Sequence, residues 1–209
     1  RAQNPWKEID LHRLHRIGAS LVRRRSGGGS VYHDLGNTNY CMFSPRATFE
    51  RRTAASMVTR AVRSLGIPAY VNERHDICVE QYKMRSFKLS SRRAYHHGTM
   101  LIESKLHELR GLLGTAKQDK MVSKGVASVP SPVRNLEEWS SLIDHDSFAR
   151  AVIGEFVQLC AENPDLPATM TQTVDEAALL SVDEIRKGTD ELKSWDFQFG
   201  QTPEFSNEL

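Results

Sequence analysis

Between residues 49 and 65 the apolar side chains recur at every third or fourth position. Ala54, Met57, Val58, Ala61, Val62 and Leu65 form one stripe, the spacing of a helix that buries a single face. Gly66 and Pro68 end it. A second such helix is predicted over residues 148–162, with Phe148, Val152, Phe156 and Leu159 on one side and Pro164 beyond its end. Shorter helices are expected over 9–17, 103–113 and 181–194, the last opened by the capping-box pattern Ser181-Val182-Asp183-Glu184. Strand-like runs fall at Leu21-Val22, 30–32, 37–43, Tyr70-Val71, 77–79 and 92–102, the last interrupted at His96-His97-Gly98. Trp195, Phe197 and Phe199 alternate with polar residues, as a half-buried strand does. Helices and strands mix without a regular strand–helix–strand beat and without an internal repeat. The pattern therefore predicts an α+β fold.

One stretch breaks the pattern: Arg23-Arg24-Arg25-Ser26-Gly27-Gly28-Gly29-Ser30-Val31-Tyr32 places three contiguous glycines between two strand-like runs. Two readings stand side by side. The glycines make a tight hairpin, or they bring bare backbone N–H groups up to an anion, with the arginines as neighbouring positive charge. A Walker-type loop is excluded, because no lysine follows the glycines and no helix comes next; the dinucleotide fingerprint fails on the same grounds. No Gly-x-Ser-x-Gly elbow is present, so hydrolase chemistry is poorly supported.

The 209 residues suffice for one domain with a proper core, and 39% hydrophobic with 26% charged residues is ordinary for a soluble protein. A formal charge of +2 is too mild to predict nucleic-acid binding, and no aromatics interleave with Arg23–Arg25. No membrane span is expected either, since no run of 18 apolar residues occurs. Cys41, Cys78 and Cys160 are far apart and odd in number, which reads as buried reduced thiols rather than a disulfide or zinc framework. His12 and His15, three apart, read as surface histidines more readily than as metal ligands. Adjacent histidines in a strand face opposite ways, so at most one of His96 and His97 addresses a site.

Residues 23–43 resemble the signature of the lipoate–protein ligase family, Arg-Arg-x-Ser-Gly-Gly-Gly-x-Val-Tyr/Phe-His-Asp-x-Gly-Asn-x-Asn. The likeness extends to Ala2-Gln3-Asn4-Pro5-Trp6-Lys7-Glu8, Asn72-Glu73-Arg74-His75-Asp76, Arg93-Ala94-Tyr95-His96-His97-Gly98-Thr99-Met100-Leu101, Ser128-Val129-Pro130-Ser131-Pro132-Val133-Arg134-Asn135-Leu136 and residues 195–206, in one order along the chain. The resemblance implies one catalytic domain over residues 1–209 with the mixed sheet and flanking helices shared by biotin ligases, lipoate ligases and class II aminoacyl-tRNA synthetases. It implies an enzyme that converts lipoate and ATP, with Mg2+, to lipoyl-AMP and then acylates a carrier lysine. The carriers would be lipoyl domains of 2-oxoacid dehydrogenase complexes and the glycine cleavage H protein. By the same resemblance Arg24 is a nucleotide contact; Gly27, Gly28, Gly29, Ser30, Val31 and Tyr32 form the adenylate cradle; Lys83 takes the place of the catalytic lysine. Asp76 either helps hold magnesium or the nucleotide, or pairs structurally with Arg74. Localisation would be mitochondrial in a eukaryote and cytoplasmic in a bacterium.

The chain departs from the family after Lys83. Lys83-Met84-Arg85-Ser86-Phe87-Lys88 is two residues shorter than the family's run and lacks its Ser-Gly-Ser. Either Lys83 keeps its place and the loop is rebuilt, or Lys88 is the anchor. Arg1, within a motif and not a Met, implies a chain that begins downstream of its natural start, and no accessory domain is expected at the C-terminal end. These departures leave two alternatives: a lipoyltransferase that uses lipoyl-AMP or a lipoylated carrier as donor, and an inactive remnant.

Overall fold

The structure is a computed structural model, describing residues 2–73, 75–84, 88–89, 93–109, 111–113, 120–125, 128, 132–163 and 169–207. In chain order the elements are α1 (Pro5–Glu8), α2 (Leu11–Arg16), β1 (Asn37–Pro45), α3 (Arg51–Ser64), β2 (Ala69–Val71), β3 (Ile77–Val79), β4 (Tyr82–Met84), β5 (Lys88–Leu89) and β6 (Arg93–Leu101). There follow α4 (Leu106–Leu109), β7 (Met121–Ser123), α5 (His145–Ala161), α6 (Glu176–Leu180), α7 (Asp183–Lys193) and β8 (Phe205–Asn207). The α+β expectation holds, and every ladder among the described residues is antiparallel: β1-β6-β5, β2-β3-β4 and β7-β8.

The chain divides into two compact units, one of residues 1–32, 106–130 and 171–209, the other of residues 33–105 and 131–170. The second is built on the two helices whose stripes the sequence displays. Met57, Val58 and Val62 of α3 and Phe148 of α5 are buried together with Ile77 and Val79 of β3, Met100 of β6, and Ile102 and Leu136. The predicted break in β6 does not occur. Gly98 pairs with Tyr40 of β1, and the Tyr40 ring lies over the glycine, so that a Cβ there would come within 2.1 Å of the ring. His96 is the buried member of the histidine pair, stacked on Tyr40 with ring centroids 5.7 Å apart.

The first unit is held differently. Its described buried side chains include Asn4, Glu8 and Arg23 beside Leu112, Met121 and Phe197. Asn4 caps α1 by accepting from the N–H groups of Trp6 and Lys7. The strands expected at Leu21-Val22 and 30–32 are absent: residues 19–34 form no regular element, because here the backbone bonds to side chains rather than to a ladder partner. The alternating aromatics likewise do not make a strand. Residues Asp196–Gly200 form a wide helical turn, with Ser194 Oγ accepting from the Phe197 N–H, Phe197 buried and Trp6 packed 5.4 Å from Phe199. The capping box at Ser181 also does not form, since the Ser181 hydroxyl donates back to the Ala178 carbonyl and closes α6. The helix predicted over 103–113 shortens to α4.

Candidate functional site

The glycine loop is shaped by its arginines in three separate ways. Arg23 is 7% exposed and serves as an internal clamp. Its Nε donates to the Gln198 carbonyl (2.7 Å), Nη1 to the Gln3 carbonyl (3.1 Å) and Nη2 to Thr202 Oγ1 (2.9 Å). Arg25 turns outward and pairs with Glu191. The expectation that all three arginines lend charge to the loop is thus corrected: one is consumed by structure and one by a surface pair.

Arg24 folds back over the glycines. Its guanidinium donates to the Gly29 carbonyl at 2.8 Å and to the Gly27 carbonyl at 3.3 Å, and its partial burial lowers its pKa from the ordinary value. Gly28 has φ +110°, a torsion that favours glycine, and a Cβ there would meet Arg24 Nη2 at 2.7 Å and push the guanidinium aside. Among the described residues none of the Gly27, Gly28 and Gly29 N–H groups meets an acceptor, whereas two of their carbonyls are capped. A loop whose carbonyls are tied to a cation presents its N–H groups, the polarity that suits an anion. No strand flanks the glycines on either side, so they do not form the hairpin.

Ser30 departs from the cradle. Its N–H donates to Ser128 Oγ (2.7 Å) and its hydroxyl to Glu8 Oε2 (2.6 Å), while Ser128 Oγ donates to the same Glu8 oxygen. Val31 is exposed, and Tyr32 Oη donates to Glu108 Oε2 at 2.7 Å, tying the loop's exit to α4. Glu8, Ser128 and Glu108 were given no role from sequence. Glu8 and Ser128 do stand at the end and the beginning of two of the motif blocks, and that was the available signal.

Asp76 and Lys83 lie in the second unit, Asp76 just before β3 and Lys83 on the β3–β4 ladder. Asp76 is buried at the head of β3, in a tight loop where its N–H donates to Asn72 Oδ1 (2.9 Å) and its carbonyl accepts from the Asn72 N–H (3.0 Å). The alternative partner Arg74 lies outside the described residues. Lys83 sits mid-strand in β4, in register with Cys78 of β3. The hairpin before it turns through Glu80 at φ +52°, held by Tyr70 Oη donating to the Glu80 carbonyl and by Trp139 Nε1 donating to Glu80 Oε1. Lys88 opens β5, and residues 85–87 lie outside the described ones. Among the described residues no three His, Cys, Asp or Glu side chains gather as metal ligands. A single carboxylate such as Asp76 is still compatible with magnesium, which commonly takes one or two protein carboxylates and completes its shell with substrate phosphates and water.

The lipoyl protein ligase A/B catalytic domain family matches residues 1–157 of the chain. The chain belongs to this family. It is 33% identical to a lipoate–protein ligase A from Psychrobacter cryohalolentis over 211 aligned residues, an alignment that takes in 100% of this chain and 62% of that protein. The chain thus spans less than two thirds of the length of that curated relative. Among solved structures of the family, P. falciparum LipL1 in complex with lipoate superposes with a TM-score of 0.76 at 27% identity, over 99% of this chain and 59% of that one. A lipoate–protein ligase A bound with ATP gives a TM-score of 0.69 at 22% identity, over 95% of this chain and 79% of that one. A bipartite ligase from Thermoplasma acidophilum, described together with its E2 lipoyl domain, gives 0.70 at 22%, over 95% and 77%. At these identities the last two speak for the fold, the lipoate ligase α+β fold.

Proposed function

We propose that this chain, as a single catalytic domain, activates lipoate with ATP and transfers the lipoyl group to a lysine of a lipoyl carrier domain. The observation that carries the reading is the polarity of the glycine loop: carbonyls tied to Arg24 and N–H groups left for an anion, in a member of a ligase family. In the first step a lipoate carboxylate oxygen attacks the α-phosphorus of ATP and pyrophosphate leaves. The chain's task is alignment and the spreading of developing negative charge. The N–H groups of Gly27, Gly28 and Gly29 would hold the α-phosphate of the adenylate. Ser30, committed to Ser128 and Glu8, gives the loop its shape, and Val31 and Tyr32 continue the cradle. In the second step the carrier lysine's ε-amine attacks the lipoyl carbonyl, losing a proton as AMP departs. Lys83 would stabilise the carbonyl oxygen there and the phosphate in the first step. Magnesium would sit on the ATP phosphates with Asp76 as its protein carboxylate. Acceptors of the proposed class are the lipoyl domains of 2-oxoacid dehydrogenase complexes and the glycine cleavage H protein, and the proposed compartment follows the source, mitochondrial or cytoplasmic.

Exchange of labelled pyrophosphate into ATP isolates the first step, since it needs no carrier. Lipoate-dependent exchange is the expected result. No exchange, combined with carrier labelling from supplied lipoyl-AMP, would replace the ligase by the transferase reading; neither reaction would leave only the fold and the ancestry.

A further inference from the structure

Beside the glycine loop lies a carboxylate that the reaction above does not use. Glu8, the last residue of α1, is 7% exposed. One of its oxygens, Oε2, accepts the hydroxyls of both Ser30 and Ser128, and Ser128 Oγ in turn accepts the Ser30 N–H. Ser30 is therefore fastened to this oxygen directly by its hydroxyl and, through Ser128, by its backbone, the two hydroxyl–carboxylate bonds being charge-assisted and of the stronger class. The fit beneath is close: a Cβ on Gly29 would lie 3.0 Å from Ser128 Oγ and 3.2 Å from its Cβ. Every member belongs to the first unit. This fastening retires the Ser30 N–H from ligand binding and fixes the torsion at which the preceding glycines leave theirs available.

We propose that Glu8, acting through Ser128, is a positioning residue that sets the anion-binding conformation of the glycine loop. The role rests on the reading that this loop holds the adenylate. Its test uses the full chain with Glu8→Ala, Glu8→Gln and Ser128→Ala, reading kcat, the KM values for ATP and for lipoate, and amide exchange across residues 27–30. Ser128→Ala removes only a hydroxyl and guards against a Glu8→Ala protein that fails to fold. Ser128→Ala and Glu8→Ala should raise the KM for ATP about tenfold, leave that for lipoate within about twofold, and speed exchange in the loop. Glu8→Gln, which keeps an acceptor oxygen, should recover most of the loss. A KM for ATP unchanged in Ser128→Ala, an equal loss for both substrates, or a Glu8→Gln protein as impaired as Glu8→Ala would overturn the role while leaving the ligase reading intact. A wild-type protein that neither binds nor turns over ATP would overturn the ligase reading itself, and the role with it.

Discussion

The two units of this chain solve the same problem with opposite materials. Around α3 and α5 the second unit buries an apolar cluster, with Phe148, Met57, Ile67 and Met100 nearly inaccessible to solvent. In the first unit Arg23, Glu8 and Asn4 are buried; Arg23 and Glu8 bond backbone or hydroxyl groups of other segments, and Asn4 caps α1 and donates to Met121 Sδ. Apolar packing is non-directional and tolerates approximate shapes, whereas a buried hydrogen-bonded charge fixes geometry and costs dearly when half of it is removed. A loop of the proposed kind, presenting bare N–H groups at one set of torsions, benefits from the second material. The comparison explains why the glycine segment can lack any ladder and still have a defined form.

The contrast can be broken first at its apolar end. Phe148→Ala opens a cavity between α5 and α3 and should cost about 3–5 kcal/mol of global stability, read from the midpoint of denaturant unfolding. At the polar end Arg23→Met leaves three acceptors bare and should cost about 2–3 kcal/mol, felt as faster amide exchange near Gln3 and residues 198–202 and not in α3. If Arg23→Met behaved as Phe148→Ala does, the distinction between the units would have no energetic content.

A titration sharpens the picture of the second unit. Burial, with His97 alongside, pushes His96 down to about 4. Its folded value lies below the unfolded one, so the unfolded chain takes up the proton first. The contribution to stability is complete above the unfolded value of about 6.5, declines as pH falls towards 4, and is constant below that. Across this window the wild type should lose about 2–3 kcal/mol more than His96→Gln, measured by chemical denaturation at several pH values. The smallest effect is local. Asp10 accepts from the Arg13 N–H at 2.9 Å as the cap of α2, and Asp10→Ala should cost about 1 kcal/mol, visible as fraying of Leu11–Arg16 by amide exchange.

The same contrast governs what could be read in the sequence. The stripe from Ala54 to Leu65 gave α3 almost to its ends, because helix periodicity is a local record of a buried face. The shape of residues 19–34 was not legible. Several of its partners are 98 or more residues away, Ser30 to Ser128 and Arg23 to Gln198 and Thr202, and no spacing rule connects them. Alternation misled at Trp195, Phe197 and Phe199, where Ser194 caps a helical turn and one aromatic is buried while Trp195 stays 65% exposed. The glycines, Arg24, Asp76 and Lys83 stand out through their motifs, whereas the carboxylate that bonds Ser30 was visible only as the end of a block.

The central proposal is that this chain makes lipoyl-AMP and transfers its lipoyl group to a carrier, with Lys83 as the catalytic lysine. Incubation of the chain with lipoate, ATP, magnesium and an apo lipoyl domain, followed by mass spectrometry of the carrier, tests it directly. The account predicts a carrier heavier by one lipoyl group, at a rate that falls two to three decades in Lys83→Ala. An unmodified carrier from a folded wild-type protein, or labelling that Lys83→Ala leaves unchanged, would contradict it.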